Sequence, residues 1–259
     1  MRRVLGVPEV PVWRDQVGAQ MDPGNLDRDH AWSRRGHAMK ARSWDREALH
    51  RCTERIIRPG ERARPDVRVV ALDGRRWVVK DYGFHAPLFK RLLGMYLVSR
   101  ERFALQRAQG IPGVPMLGPV QGPCLLTTEL MDAVEVTSAP PQALTAEFFA
   151  LLHDLVQTLH RRGVVHGDLK KLENILISRD GKPVLVDFTA AFVSGSSPVT
   201  ALVFPWIADD DNRAICKLKR QCAPHLLTQQ ELAFLEERSG VERFFRWFRR
   251  YIRYLVKRW

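Results

Sequence analysis

The sequence predicts an α+β fold in two lobes, a small mainly β lobe first and a short mainly helical lobe after it. Three observations carry that expectation. Alternating apolar residues flank Asp73-Gly74 in "VRVVALDGRRWVVKDY" and Asp180-Gly181 in "NILISRDGKPVLVDF", the pattern of tight hairpins. Between them, "TAEFFALLHDLVQTLHRR" repeats its apolar residues at helical spacing. A chain of 259 residues, 45% apolar and 27% charged, is long enough to bury a core as one large domain or two lobes.

Residues 1–45 mix Pro, Gly, Arg, Asp and His without sustained periodicity, which predicts a poorly ordered extension. The first lobe is expected over 46–131. It opens with a short helix from Asp45 to Ile57, followed by "RPGERARPD" and the first hairpin, in which a turn at Asp73-Gly74 sets Lys80 opposite Val67. A basic helical segment, "FKRLLGMYLVSRERFALQRAQ", packs through Leu93, Leu97, Phe103 and Leu105 and ends at Gly110. "IPGVPMLGPVQGPCLLTTELM" reads as short strands broken by Pro and Gly. The second lobe, 132–240, contains a helix capped by Thr145 and stopped by Gly163, with Phe148, Leu152, Leu155 and Leu159 on one stripe. No internal repeat is present.

Composition narrows the setting. Cys52, Cys124, Cys216 and Cys222 are scattered without a CxxC, which fits a reducing compartment better than a disulfide framework. Cys216, Cys222 and His225 as a partial zinc site is the lesser reading. No apolar run approaches the eighteen or so residues of a membrane span, and "MRRVLGVPEVPVWRDQ" lacks the apolar stretch of a signal peptide. A cytoplasmic protein is the expectation. The net charge of +12 calls for an anionic partner, such as a nucleotide, phospholipid head groups, a phosphorylated glycan or nucleic acid.

The second hairpin carries the chemistry. A two-residue turn at Asp180-Gly181 opposes residues whose numbers sum to 361, so Asn174 faces Asp187 and Pro183 faces Ser178. Opposed side chains lie roughly 4.5–5.5 Å apart on one face. An Asn carbonyl and an Asp carboxylate so placed can share a hard cation such as Mg²⁺, which takes few protein oxygens and keeps phosphate oxygens and water for the rest. The plainer alternative makes Asn174 a strand cap and Asp187 the start of a turn. Asp168 lies in the polar loop just upstream, where a carboxylate can accept the proton of an attacking hydroxyl. Lys170 can offset phosphate charge, and His166 is expected to brace the loop.

"HGDLKKLENILI" and "VLVDFTAAF" together resemble the catalytic and metal-binding segments of the protein-kinase-like fold. "VVKDY" is similar to the strand whose lysine meets the α- and β-phosphates of ATP, which implies that role for Lys80. The resemblance further implies Glu101 of "SRERFALQR" as the helix glutamate paired with that lysine. "LLTTELM", followed by Asp132, resembles the hinge that holds adenine through backbone groups, around Glu129 to Met131. The order Lys80, Glu101, Asp168, Asn174, Asp187 is the family's order and spans roughly residues 60–235. "GIPGVP" and the HGDL form of the loop look most like the bacterial lipopolysaccharide-core (Kdo) and RIO-like kinase group. Antibiotic and choline phosphotransferases share the HGD loop.

The chain departs from the family pattern in three places. Asn174 follows Asp168 by six residues where the family has five, so the loop is expected to bulge between Lys170 and Glu173. No G-x-G-x-x-G precedes Lys80; the phosphate-covering turn falls in "RPGERARPD", where Arg62 and Arg64 either replace backbone amides by side-chain charge or form an exposed basic loop. Thr189 stands where the metal segment has glycine, and limits backbone flipping there. No A-P-E-terminated activation loop follows.

Residues 241–259, "VERFFRWFRRYIRYLVKRW", hold seven Lys/Arg against one Glu, half of the net charge. Their apolar residues recur at three- and four-residue steps, as in an interfacial amphipathic helix on an anionic membrane. Docking of that stripe on the second lobe is the alternative, and RNA a third option without a recognised module. The resulting expectation is an ATP- and Mg²⁺-dependent kinase, cytoplasmic or peripheral at the inner membrane face. Its acceptor is a hydroxyl of an envelope glycolipid sugar, or a protein serine or threonine, with a membrane-associated nucleotide-binding pseudokinase as the non-enzyme alternative.

Overall fold

The computed structural model describes residues 46–61, 64–72, 74–83, 87–118, 122–195 and 198–237, with only the backbone of 90 and 198–203. The expected 1–45 extension and 241–259 helix lie outside the described residues.

The first lobe begins with α1 (Arg46–Arg51), and β1 (Thr53–Arg58) follows after one residue. The single helix expected from Asp45 to Ile57 therefore stops early. Thr53, Ile56 and Ile57 are β-branched, and "TERIIR" gains a ladder with β2 (Asp66–Leu72) that a helix would forgo. Next come β3 (Arg75–Asp81), α2 (Leu88–Ala108) and β4 (Leu125–Glu129), and the four strands form an antiparallel sheet in the order β1-β2-β3-β4. The proline- and glycine-rich stretch before β4 yields isolated bridges, Leu117 with Thr128 and Gly122 with Leu125, in place of further strands. β3 is an inner strand, and its register is the expected one: Leu72 faces Arg75 across the turn and Val67 faces Lys80. Asp81, the next residue, is clasped by the Arg46 guanidinium through two 2.6 Å contacts and by the Gly83 N–H at 2.7 Å.

α2 buries Val98, Glu101, Ala104, Leu105 and Ala108, whereas Phe103, expected in the core, is 48% exposed. The inward face is the one that carries Glu101, and a stripe counted from apolar residues alone turns the helix the wrong way. Gly94 lets α2 come close: a Cβ there would sit 2.6 Å from the Tyr82 Cβ.

The second lobe adds β5 (Ala133–Glu135), α3 (Ala146–Arg161), β6 (Val164–Val165), β7 (Ile175–Ser178), β8 (Pro183–Leu185), β9 (Phe192–Val193), α4 (Pro198–Cys222) and α5 (Gln229–Glu236). Thr145 caps α3 by accepting from the Phe148 N–H at 3.1 Å, and Phe148, Leu152, Leu155 and Leu159 are buried, both as expected. α4 has no counterpart in the sequence reading, because Pro205 lies inside it and interrupts the helical pattern. The expected α+β plan, a small mainly β lobe followed by a mainly helical one, is the one observed.

The β7–β8 hairpin departs from its expected register. Ile177 faces Pro183 and Ile175 faces Leu185, one residue away from the predicted pairing. Its loop has three residues: the Gly181 N–H donates to the Ser178 carbonyl at 3.0 Å, Gly181 adopts φ +78°, and the Ser178 N–H reaches the Lys182 carbonyl at 2.9 Å. This is a type I turn followed by a left-handed glycine. Asn174 consequently lies opposite Val186, whose N–H donates to its carbonyl at 3.0 Å, and Pro183 does not face Ser178.

Candidate active site

Lys80 reaches from β3 into a buried cluster between the sheet, α2 and the segment after β8. Its ammonium donates to Glu101 Oε1 at 2.6 Å, to Asp187 Oδ1 at 2.7 Å and to Thr189 Oγ1 at 3.4 Å. The Thr189 hydroxyl in turn lies 2.6 Å from Asp187 Oδ1 and 2.9 Å from Glu101 Oε2, and its one hydrogen serves either carboxylate. Burial opposes the Lys80 charge, yet Glu101 and Asp187 outweigh it and raise the lysine above its ordinary value. Burial likewise pushes Asp187 up, but the Lys80 charge and the hydrogen bonds from Lys80 and Thr189 hold it well below the usual carboxylate range. Lys80 and Asp187 are therefore both ionised at neutral pH. One lysine against two carboxylates leaves the cluster one negative charge in excess, borne on the partly exposed Asp187 side.

Asp187 comes to this position without the expected strand pairing. It takes a left-handed conformation, φ 63° and ψ 69°, which an aspartate tolerates better than most residues, and a 3-10 turn over Phe188–Ala190 follows. That turn sets Thr189 beside Glu101. Thr189 therefore adds a side-chain bridge between α2 and the turn after β8, in addition to any restriction of the backbone.

The 166–174 loop accommodates its extra residue in two successive turns. The Lys171 N–H donates to the Asp168 carbonyl at 3.2 Å, and Leu172–Asn174 then forms a 3-10 turn. The path brings the Asn174 side chain back to donate Nδ2–H to the Asp168 carbonyl at 3.0 Å, so the loop bulges between Asp168 and Asn174 and closes again. Lys171, not Lys170, pairs with the Asp168 carboxylate, at 2.6 Å; Lys170 is exposed. The two lysines are adjacent in sequence, and only the turn geometry separates them.

His166 is fully buried and braces the loop as expected. Its Nε2–H donates to the Val186 carbonyl at 2.9 Å, and its ring lies 4.7 Å from that of Phe188. The sequence reading missed Asp211. From α4, its buried carboxylate accepts the His166 N–H at 2.8 Å and the Gly167 N–H at 2.9 Å, with His160 Nε2 at 3.3 Å. The signal was present: Asp211, Ala214, Ile215 and Leu218 share one helical stripe and are all buried.

Around the hinge, the Glu129 N–H is taken by the Met116 carbonyl at 2.8 Å, and the Met131 carbonyl accepts the Ala133 N–H at 3.0 Å. Met131 is half-buried and lines a cavity of about 390 Å³ with Ile111, Gly113 and Lys182. A second cavity, about 620 Å³, begins at Asp132 on the other side of the β7–β8 turn. Neither is lined by Lys80, Asp168 or Asp187. Arg64 is exposed and makes no ion pair with the Lys80 cluster among the described residues. Arg62 lies outside the described residues.

The donor set suits a divalent cation. Asn174 spends its NH₂ on the Asp168 carbonyl, which directs its oxygen away from that bond. Asp187 is held through Oδ1 by Lys80 and Thr189, while no side chain among the described residues bonds to Oδ2. Each of these oxygens is a hard donor of the kind Mg²⁺ takes, the rest of its shell coming from phosphate and water oxygens.

No model of a protein family matches the chain. Among curated proteins, 69 residues are 33% identical to serine/threonine-protein kinase PKH3 of Eremothecium gossypii, covering 27% of this chain and 9% of that protein. A 47-residue stretch is 45% identical to the Saccharomyces cerevisiae protein of the same name, covering 18% and 5%. Among solved structures, the Rio2 kinase of Chaetomium thermophilum in its ADP/Mg²⁺-phosphoaspartate complex is similar with a TM-score of 0.48 and 23% identity, over 68% of this chain and 57% of that one. A second structure of the same kinase gives the same score and identity over 58% of its chain. The chain thus spans less than two thirds of each of these proteins.

Proposed function

We propose that the chain is an ATP- and Mg²⁺-dependent phosphotransferase with a hydroxyl acceptor. The observation that carries this reading is the junction at Lys80: one buried ammonium joins Glu101 of α2 to Asp187 beside the Asp168–Asn174 loop. Lys80, oriented by Glu101, would meet the α- and β-phosphates, and backbone groups of Glu129 to Met131 would hold the base. Asn174 and Asp187 would hold Mg²⁺, which when bound offsets phosphate charge. Asp168 would orient the acceptor hydroxyl and take its proton, with Lys171 at 2.6 Å and the neighbouring Lys170 supplying positive charge on that side. Such a reaction depends mainly on positioning and charge, the two things this cluster provides.

The acceptor we propose is a sugar hydroxyl of an envelope glycolipid, supported by the HGDL loop, the "GIPGVP" segment and the basic charge balance. A protein serine or threonine is the second reading, favoured by the names of the curated relatives. Labelled γ-phosphate offered to membranes and cytosol as competing acceptors separates the two. Label in a glycolipid fraction supports the first and label in protein the second. Equal labelling by wild type and Asp168→Asn would remove Asp168 from the reaction.

A further inference from the structure

α2 is apolar on two faces. The inward face packs in the core, while Leu88, Phe89, Leu92, Met95, Tyr96 and Phe103 stand exposed on the other, Phe89 at 77%. At 100° per residue these six form one stripe roughly 120° wide. Arg91 and Arg102 border it on one side and Arg100 and Arg107 on the other, the latter two also donating to the Ala190, Ala191 and Ser194 carbonyls of the second lobe. Glu101 is the only acidic residue of α2, and it is buried against Lys80, so the exposed surface of this helix carries no carboxylate at all.

We infer that the outer face of α2 is a docking surface for an anionic lipid bilayer. Apolar and aromatic side chains in a stripe edged by arginines suit the boundary between acyl chains and acidic head groups. A bilayer supplies both partners in one plane and demands no shape complement, which matches a convex ridge. A second copy of this face, or the basic 241–259 segment, would set arginine against arginine. No helix among the described residues is long and apolar enough to cross a membrane, so the contact is interfacial.

Flotation of the full chain tests this independently of catalysis, so a chain that floats but transfers no phosphate leaves the inference standing. Wild type is expected to float with vesicles of phosphatidylcholine and phosphatidylglycerol in equal parts and to stay behind with phosphatidylcholine alone. Replacing Phe89, Tyr96 and Phe103 together by Ser should lower the bound fraction about tenfold, while replacing all three by Leu should preserve it. Arg102→Glu, which leaves the stripe intact, should weaken binding about fivefold. All variants keep residues 241–259, so their ratio isolates α2, and unchanged thermal unfolding excludes misfolding. Equal flotation of wild type and the Ser variant overturns the inference. So does a chain that ignores acidic vesicles and self-associates through this face.

Discussion

The β2–β3 and β7–β8 hairpins turn at the same dipeptide, Asp-Gly, and reach different registers. In the first, Leu72 and Arg75 close a two-residue loop, and Lys80 lands opposite Val67. In the second, Ser178 adds a local network: its hydroxyl contacts Asp180 Oδ1 at 2.6 Å and accepts the Lys182 N–H at 3.0 Å. These bonds favour the three-residue loop and shift every pair by one. The residues flanking a turn, as much as its central dipeptide, decide where a strand delivers its side chains. The first hairpin places Lys80 through the ladder; the second does not place Asp187 that way, and a left-handed backbone brings it to Lys80.

That contrast can be broken at several points. The largest effect is expected where the first hairpin meets α2: Glu101→Ala removes one of two carboxylates from buried Lys80 and should cost about 2 kcal/mol, less than a fully orphaned ion because Asp187 remains. A shift in the urea midpoint worth under about 0.5 kcal/mol would show that the pair does not hold α2. Gly74→Ala and Gly181→Ala test the turns themselves. Both glycines have positive φ and a Cβ at either meets nothing within 4 Å, so each should cost about 1 kcal/mol for backbone conformation alone. Unequal thermal shifts would expose a difference between the two turn types.

Ser178→Ala should cost about 0.5 kcal/mol, since its bonds are exposed, and should loosen amide protection around Lys182 without affecting the β2–β3 pair. Unchanged protection there would leave the loop length unexplained. The smallest effect concerns pH. Asp187 is depressed, so its contribution is complete above about pH 5 and lost as pH falls below the ordinary carboxylate value of about 3.9. Lys80 is raised, so its contribution is complete below about 10.4 and lost as pH climbs through the folded value. The stability gap between wild type and Glu101→Ala should therefore stay constant from about pH 6 to 9. A slope in that window would mean that one of these groups titrates there.

Much of this was legible in the sequence, for physical reasons that also mark where it stopped. Lys80 and Glu101 were readable because the Asp73-Gly74 register and the family order agree, and the two side chains meet at 2.6 Å. The α3 stripe and its Thr145 cap were readable from local spacing. Phe103 was misplaced because a helix with two apolar faces has no single stripe, and here the inward face is chosen by a charged residue. Asp211 was passed over because Pro205 interrupts the pattern of its helix, and the Lys171–Asp168 pair depends on a turn that pattern alone does not specify. The expected Asn174–Asp187 pairing is not formed, because Asn174 lies opposite Val186. A strand pairing was predicted, whereas the two residues lie at the ends of separate 3-10 turns.

In the function proposed above, the Lys80–Glu101–Asp187 cluster and the Asp168–Asn174 loop act as one phosphate-transferring site. Asp187→Asn tests it most directly, because asparagine tolerates the left-handed backbone and removes only the charge. In a γ-phosphate transfer assay with Mg²⁺, this variant should fold as the wild type does and lose at least about a thousandfold in rate. Transfer at the wild-type rate would contradict the account.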